Sequence, residues 1–246
     1  MSKEVLQSVS LARADAQALR RKARSERDEE KRKGSFDAAV ATFEGAVALL
    51  RRTLRALRRN QSGYTPEICA ILESLSQTYG SLGGTWRDAG DFSRAIELYD
   101  QGNEIEEERR RNCDARDSYN LLQRLVVRLL RASTQGGQTS AETLMKHEEF
   151  ARELQAARSE IERQVAQGRT DSWALADLAL VRFLCGENAD AAIGDLDARK
   201  SVGSFYESAY TVVSALVAEG FGKGEVLGGR LDELQRLLRR KGGMEA

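Results

Sequence analysis

The chain contains few of the residues on which catalysis and metal binding most often depend. Among 246 residues there is one histidine and one proline, and there are three cysteines. Because helix interiors exclude proline, a chain almost free of it favours helices throughout. The single histidine, His147, has no second histidine at the spacing of a zinc site. We therefore expect that the protein is not an enzyme and has no catalytic residue, metal ion or cofactor.

The cysteines and the hydrophobic runs exclude further classes of protein. Cys69, Cys113 and Cys185 are odd in number and far apart, which gives no disulfide framework and favours small buried side chains. No run of 18 apolar residues occurs, so no transmembrane helix is expected. The segment 1–33 lacks the apolar core of a signal peptide. These absences favour a cytoplasmic protein without a membrane partner.

Charge is balanced overall but uneven along the chain. There are 38 basic and 38 acidic residues. Residues 1–60 contain 15 basic and 8 acidic residues, a net charge of +7, so the remainder carries −7. The asymmetry would suit self-association or a bipolar binding surface. Solvated helix faces are the simpler alternative.

Apolar residues recur at helical spacing along almost the whole chain, and no alternating run indicates a strand. Hydrophobic residues make up 41%, which is ample for a core. The expected breaks between helices fall at 33–35, 60–66, 89–91, 112–114, 133–140, 168–171, 186–188, 200–204 and 220–224. They give an all-α fold of about ten helices in five antiparallel hairpins, of which the first six helices are longer than the last four.

One stretch, residues 76–109, alternates large and small residues in a pattern suited to paired helices. Gly83 permits a neighbouring helix to approach closely, Trp86 fills the space between the helices, and Gly90 turns the chain. The pattern consists of Tyr79, Leu82, Gly83, Trp86, Gly90, Ala95, Tyr99 and Gly102. It resembles the tetratricopeptide repeat (TPR), a helix–turn–helix unit of about 34 residues. Weaker copies lie around 34–46 and 172–205.

The resemblance, which extends to the longer-helix variants of kinesin light chains and bacterial relatives, implies a right-handed TPR-like helical-hairpin solenoid. Residues 1–246 would form one such domain, with a long-helix half at 1–168 and a shorter-helix half at 169–246. Each hairpin would bury its apolar side only by stacking on its neighbours. An ordinary helical bundle with similar spacing is the alternative.

A TPR solenoid has a concave groove, lined by the first helix of each pair, which binds proteins or peptides. The resemblance therefore implies a non-catalytic adaptor, sensor or regulatory subunit, which would act on an effector or signalling protein. The register places two sets of residues in the groove: Gln77, Gly80, Ser81, Gly84 and Arg87 in the best copy, and Trp173, Ala176, Asp177, Leu180 and Phe183 in the later one. Alternatively, residues 205–241 cover the second set.

A basic face lies near residue 55, where Arg51, Arg55, Arg58 and Arg59 share one side of a predicted helix. It is either a solvated face favoured by the helix dipole, or a contact for an acidic protein or for the chain's own acidic half. Binding to RNA is a third alternative, but no aromatic residue is interleaved for base stacking and nucleic acid is not expected. Besides the interaction module, the sequence leaves open a self-assembling scaffold or an Arg-rich RNA-binding repeat.

Overall fold

The computed structural model describes residues 2–113, 117–167, 172–192, 194, 210, 213–214 and 228–241. All regular structure within these residues is helical, which confirms the all-α prediction. The helices are α1 (Ser2–Ser25), α2 (Glu29–Asn60), α3 (Pro66–Asp88), α4 (Phe92–Asn112), α5 (Tyr119–Lys146), α6 (Glu148–Ala166), α7 (Ser172–Leu184), α8 (Ala189–Ala192) and α9 (Gly228–Lys241). The predicted breaks at 168–171, 200–204 and 220–224 lie outside the described residues.

Three helices of the N-terminal half begin at side-chain caps. Asp28, Thr65 and Asp91 each accept a hydrogen bond from the backbone N–H three residues further on. Such a cap satisfies one of the backbone donors that a helix start leaves open. Pro66 follows Thr65 as the first residue of α3, where its missing N–H carries no penalty. The predicted turns at 60–66 and 89–91 are therefore confirmed.

Two predicted breaks are wrong. Helix α2 begins at Glu29 and continues through 33–35, and α5 continues through 133–140 to Lys146. Glycine and serine lower helix propensity by up to about 1 kcal/mol each, but unlike proline they keep the backbone hydrogen bond. In α2 the Asp28 cap and the acidic residues of the first turn favour a start at Glu29, five residues before Gly34.

The chain divides into two compact units, Met1–Arg124 and Leu125–Ala246. Helix α5 begins in the first unit and continues into the second. The sequence analysis expected one array, with a change in helix length at 168/169. The boundary between the two units falls instead within α5, close to its start. The composition of the sequence does not change there.

Alternate helices of the first unit run in the same direction. Between α1 and α3, Arg13 bonds Gln77 at 2.7 Å and Arg24 bonds Asp88 at 2.7 Å, both across 64 residues. Between α2 and α4, two bonds again share one separation, of 50 residues. A constant separation at two points along a helix pair requires the two helices to be parallel. The hairpin α1–α2 thus lies against the hairpin α3–α4 with like helices adjacent.

The packing predicted for residues 76–109 is present at the α3–α4 contact. A methyl group at Gly83 would lie only 3.2 Å from the Tyr99 ring, so glycine permits the close approach of the two helices. Ala95 and Tyr99 are both fully buried. Gly90 has φ +84°, a conformation that glycine adopts without strain, and it reverses the chain before Asp91.

Candidate functional site

Helix α3 is the central helix of the first unit, and only a narrow strip of it remains accessible. Between residues 70 and 85 the positions that are not buried are Ala70, Glu73, Gln77 and Ser81. Their spacing of three and four residues places them on one face of the helix. The Glu73 side chain is 52% exposed. This strip is where a ligand would reach α3.

Helices α1 and α5 border the strip on either side. On the α1 side, Arg13 donates to Gln77 at 2.7 Å, and a methyl group at Gly84 would lie 2.8 Å from Arg20 Nη1. On the α5 side, Arg87 donates to Gln123 at 2.8 Å. Of the predicted residues of α3, Gln77 and Ser81 lie on the strip, whereas Gly80 is buried against α5 and Gly84 against α1. Gln77 and Arg87 already have partners within the chain.

At one end of the strip three guanidinium groups surround the carboxylate of Asp88. Arg20 Nε and Arg24 Nη2 each lie 2.5 Å from Oδ2, and Arg87 Nη2 lies 3.4 Å from Oδ1. Burial acts to raise the pKa of Asp88, but the arginines, Arg20 foremost, lower it overall. Of these residues only Arg87 was predicted as a site residue, because nothing in the sequence indicates which arginines of α1 face residue 88.

The neighbouring part of α1 is open. Ala14 and Arg21 are exposed and Gln17 is half-buried, and their spacing places all three on one side of the helix. We call Ala14, Gln17, Arg21, Glu73, Gln77 and Ser81 the α1–α3 face. Together with the cluster around Asp88 it carries more arginine than carboxylate.

Two arginines of the predicted basic face lie over tyrosine rings and bond side chains of α4. The Arg51 guanidinium lies 5.3 Å from the centre of the Tyr79 ring, and Arg58 lies 6.0 Å from that of Tyr64. Arg58 also bonds Glu108, whose carboxylate accepts a hydrogen bond of 2.7 Å from the Tyr64 hydroxyl. For Arg58, the contact is therefore with the chain's own acidic part.

The other two arginines of the basic face, Arg55 and Arg59, are exposed, as is Arg52. Their spacing of three and four residues places them on one side of α2. Tyr64 is 42% exposed beside Arg58. The sequence analysis missed this aromatic neighbour, because Tyr64 follows the helix and only the α2–α3 loop carries it back to the basic face.

In the second unit the predicted groove positions of α7 belong to the core. Leu180 is 2% exposed and Phe183 is fully buried. Neither side chain is open to a ligand, so the expectation of an exposed apolar groove at these two residues is corrected. Asp177 is half-buried. Trp173 and Ala176 lie in α7, but their side chains fall outside what the structure describes.

A polar cluster missed by the sequence analysis is buried where α3, α4 and α5 meet. Glu106 Oε1 accepts from Ser76 Oγ at 3.2 Å, from the Asn120 backbone N–H at 3.1 Å and from the Asn120 side-chain amide. Burial, together with the negative charge of Asp117, raises the pKa of Glu106 to about 8. In the sequence Glu106 is one of three consecutive glutamates, and helical spacing alone does not separate it from exposed Glu107.

Cys69 and Cys113 form a disulfide, so the expectation that they are separate buried thiols is wrong. The bond joins the first turn of α3 to the residue after α4, at the end of the hairpin opposite Gly90. Antiparallel packing brings together two positions that are 44 residues apart. Cys185 is a half-buried free thiol, and burial raises its pKa.

Within the described residues, no group of three or more metal-binding side chains occurs. His147 is exposed and precedes α6. A search of the same residues finds no helix with the length and apolar character needed to cross a membrane.

Comparisons with protein-family models and with curated proteins find no match for this chain. The TPR resemblance therefore depends on the sequence motif at residues 76–109.

Proposed function

We propose that the protein is a non-catalytic interaction module, an adaptor, sensor or regulatory subunit, that binds a protein or peptide along the α1–α3 face. The observation that carries this proposal is the constant separation of 64 residues between α1 and α3 and of 50 residues between α2 and α4. Parallel stacking of successive hairpins is how a TPR-like solenoid places its first helices side by side along one groove.

The charges of the face favour an acidic partner. Arg20, Arg24 and Arg87 share the single carboxylate of Asp88, and exposed Arg21 lies beside them on α1. A guanidinium group binds carboxylates through two parallel hydrogen bonds. A partner segment with aspartate or glutamate would therefore bind here, with an affinity that falls as salt is raised.

The experiment first identifies the partner and then locates its site. The tagged full chain is purified from its native host with nuclease treatment, and the recovered protein is prepared separately. Its affinity is then measured for wild type, Ala14→Glu and Ala48→Glu. Both alanines are exposed, Ala14 on the α1–α3 face and Ala48 on the outer side of α2, so they form a matched pair.

We expect Ala14→Glu to weaken binding at least tenfold, because the longer side chain occupies the face and its negative charge repels an acidic partner, while Ala48→Glu binds like wild type. Equal losses, or a loss only for Ala48→Glu, would contradict the proposed site. Recovery of the chain alone, with a mass that rises with concentration, would favour the self-assembling scaffold instead.

A second candidate function, binding of RNA, is favoured by the exposed arginines at 52, 55 and 59 and by the exposed Tyr64 ring beside Arg58. Arginine side chains bind phosphates and an exposed aromatic ring stacks on a base. The double variant Arg55→Glu, Arg59→Glu should abolish salt-dependent binding of single-stranded RNA in a gel-shift assay. Binding that survives this double variant would exclude the basic face as the RNA site.

We also propose a cytoplasmic location, and the disulfide provides the test. In a reducing cytoplasm the Cys69–Cys113 pair would be held as two thiols, whereas disulfides persist in oxidising compartments. Acid quenching of cells followed by thiol alkylation and mass spectrometry measures the state of the pair. A fully oxidised pair in unstressed cells would contradict the cytoplasmic location.

A further inference from the structure

The carboxyl group of Glu106 joins three helices of the first unit. It projects from α4, is 1% exposed, and bonds Ser76 of α3 and Asn120 in the first turn of α5. The three hydrogen bonds, from Ser76 Oγ and from the backbone and side-chain amides of Asn120, all go to one oxygen, Oε1. Glu106 therefore links the first turn of α5 to both α3 and α4.

The second oxygen, Oε2, is buried and has no hydrogen-bond partner among the described residues. An ionised carboxylate carries charge on both oxygens, and burying one of them without a partner costs free energy. A neutral carboxylic acid has no net charge to desolvate. Because the hydrogen bonds go to Oε1 and none to Oε2, the site suits the protonated side chain better than the carboxylate.

The charged groups around Glu106 do not supply a dedicated counter-ion. From the segment before α5, Asp117 opposes its ionisation, while Arg110 of α4 favours it more weakly. Arg109 of α4 lies 3.5 Å from a carboxylate oxygen of Asp117 and 3.4 Å from one of Glu73 on α3. Because two other carboxylates share Arg109, ionised Glu106 would add a further negative charge to the cluster.

We propose that Glu106 is a pH-sensitive latch, whose protonated side chain holds the first turn of α5 on the α3–α4 hairpin and whose deprotonation releases that turn. The reaction is the transfer of one proton from the carboxyl group to water, and no other bond breaks. The carboxylate that remains needs hydration of Oε2, and water reaches it only when the first turn of α5 moves away. The shifted pKa described above places this step in mildly alkaline solution.

Hydrogen exchange tests the latch at the amides of the first turn of α5, where the Leu122 N–H bonds the Ser118 carbonyl. After correction for intrinsic exchange, we expect protection in the wild type to fall at least tenfold between pH 6.5 and 9.5. Glu106→Gln keeps an acceptor oxygen but cannot ionise, so its protection should not change. The matched control Glu104→Gln, which removes an exposed carboxylate of the same helix, should behave like the wild type.

Protection in the wild type that does not change with pH, or an equal fall in Glu106→Gln, would overturn the proposal. A second measurement uses the wild type alone and does not depend on the variant folding. The carbon-13 resonance of the Glu106 carboxyl group should titrate well above the ordinary glutamate value of 4.5. A midpoint at 4.5 or below would overturn the latch.

Discussion

Arg20 on α1 and Asp88 at the end of α3 are joined by a bond of 2.5 Å between Nε and Oδ2, with side chains only 15% and 10% exposed. The bond fixes the ends of two parallel helices that are 68 residues apart in the sequence. Arg24 and Arg87 share the same carboxylate, so Asp88 connects the first hairpin to the second.

Replacing Asp88 should therefore destabilise the first unit. Asp88→Asn leaves Arg20 and its neighbours partly buried without a counter-charge, and we expect the free energy of unfolding at pH 7 to fall by about 2–4 kcal/mol. Urea denaturation measures the change. Asp15→Asn, at an exposed position of α1, is the control and should stay within about 0.5 kcal/mol of wild type. Equal stability of both variants would show that the cluster does not hold the hairpins together.

The same carboxylate gives the protein an acid-sensitive component of stability. Because the arginines lower the pKa of Asp88 in the folded state, its ion pairs contribute fully above the ordinary value of 3.8. This contribution is lost as pH falls through the folded-state pKa. Asp88→Asn should therefore show a smaller loss of stability than wild type below pH 4. Parallel curves for the two proteins would contradict the assignment.

Replacing glycine by alanine should lower the stability of the protein at Gly102 and raise it at Gly45. A methyl group at Gly102 would overlap the Asn120 side chain, which Ser76 and Glu106 hold in place. Gly102→Ala should therefore cost about 1–3 kcal/mol. Gly45 lies in α2 with open space around it, so Gly45→Ala should stabilise the protein by up to about 1 kcal/mol. Thermal unfolding of both variants checks the pair, and a tolerated Gly102→Ala would show that α5 does not pack as described.

The Cys69–Cys113 disulfide should contribute substantially to stability. Closing a loop of 44 residues removes conformational entropy from the unfolded chain worth about 4 kcal/mol. The double variant Cys69→Ser, Cys113→Ser should show a loss of about this size in urea, and the wild type should lose the same amount on reduction. Cys185→Ser is the control: it keeps the disulfide, so it should lose the same amount of stability on reduction as the wild type. An unchanged midpoint on reduction would mean that the bond does not constrain the hairpin.

Phe183 distinguishes a core position from a groove position. Since its side chain is fully buried, Phe183→Ala should lower the free energy of unfolding by about 3–5 kcal/mol. Leu11, 63% exposed on α1, is the comparison, and Leu11→Ala should have little effect. Circular dichroism during urea unfolding measures both. A Phe183→Ala protein as stable as wild type would return this residue to the list of groove candidates.

Local chemistry in the sequence predicted the helices and the α3–α4 contact well. Gly90 with Asp91 was correctly predicted to turn the chain, and Gly83 was predicted to permit a close helix approach, which the Tyr99 ring makes. The break predicted at Gly34 was wrong because a glycine weakens a helix without ending it. The decisive feature there was the Asp28 cap, six residues earlier.

The candidate site was less accessible to prediction, because its contacts join residues that are distant in sequence. The register identified Gln77 and Arg87 as members of one face, but not their partners on α1 and α5. The Cys69–Cys113 bond and the burial of Glu106 also depend on which helices are neighbours. Glu106 and Glu107 are the same residue type in the same helix, and tertiary packing alone determines that the first is buried and the second exposed.

Site-specific photo-crosslinking to the purified partner tests the central claim most directly. A benzophenone amino acid is placed in turn at Ala14 on the α1–α3 face and at Ala48 on the outer side of α2, both exposed. If stacked hairpins bind a partner along the α1–α3 face, the probe at Ala14 crosslinks it and the probe at Ala48 does not. Crosslinking from Ala48 alone, or equally from both positions, would contradict this account.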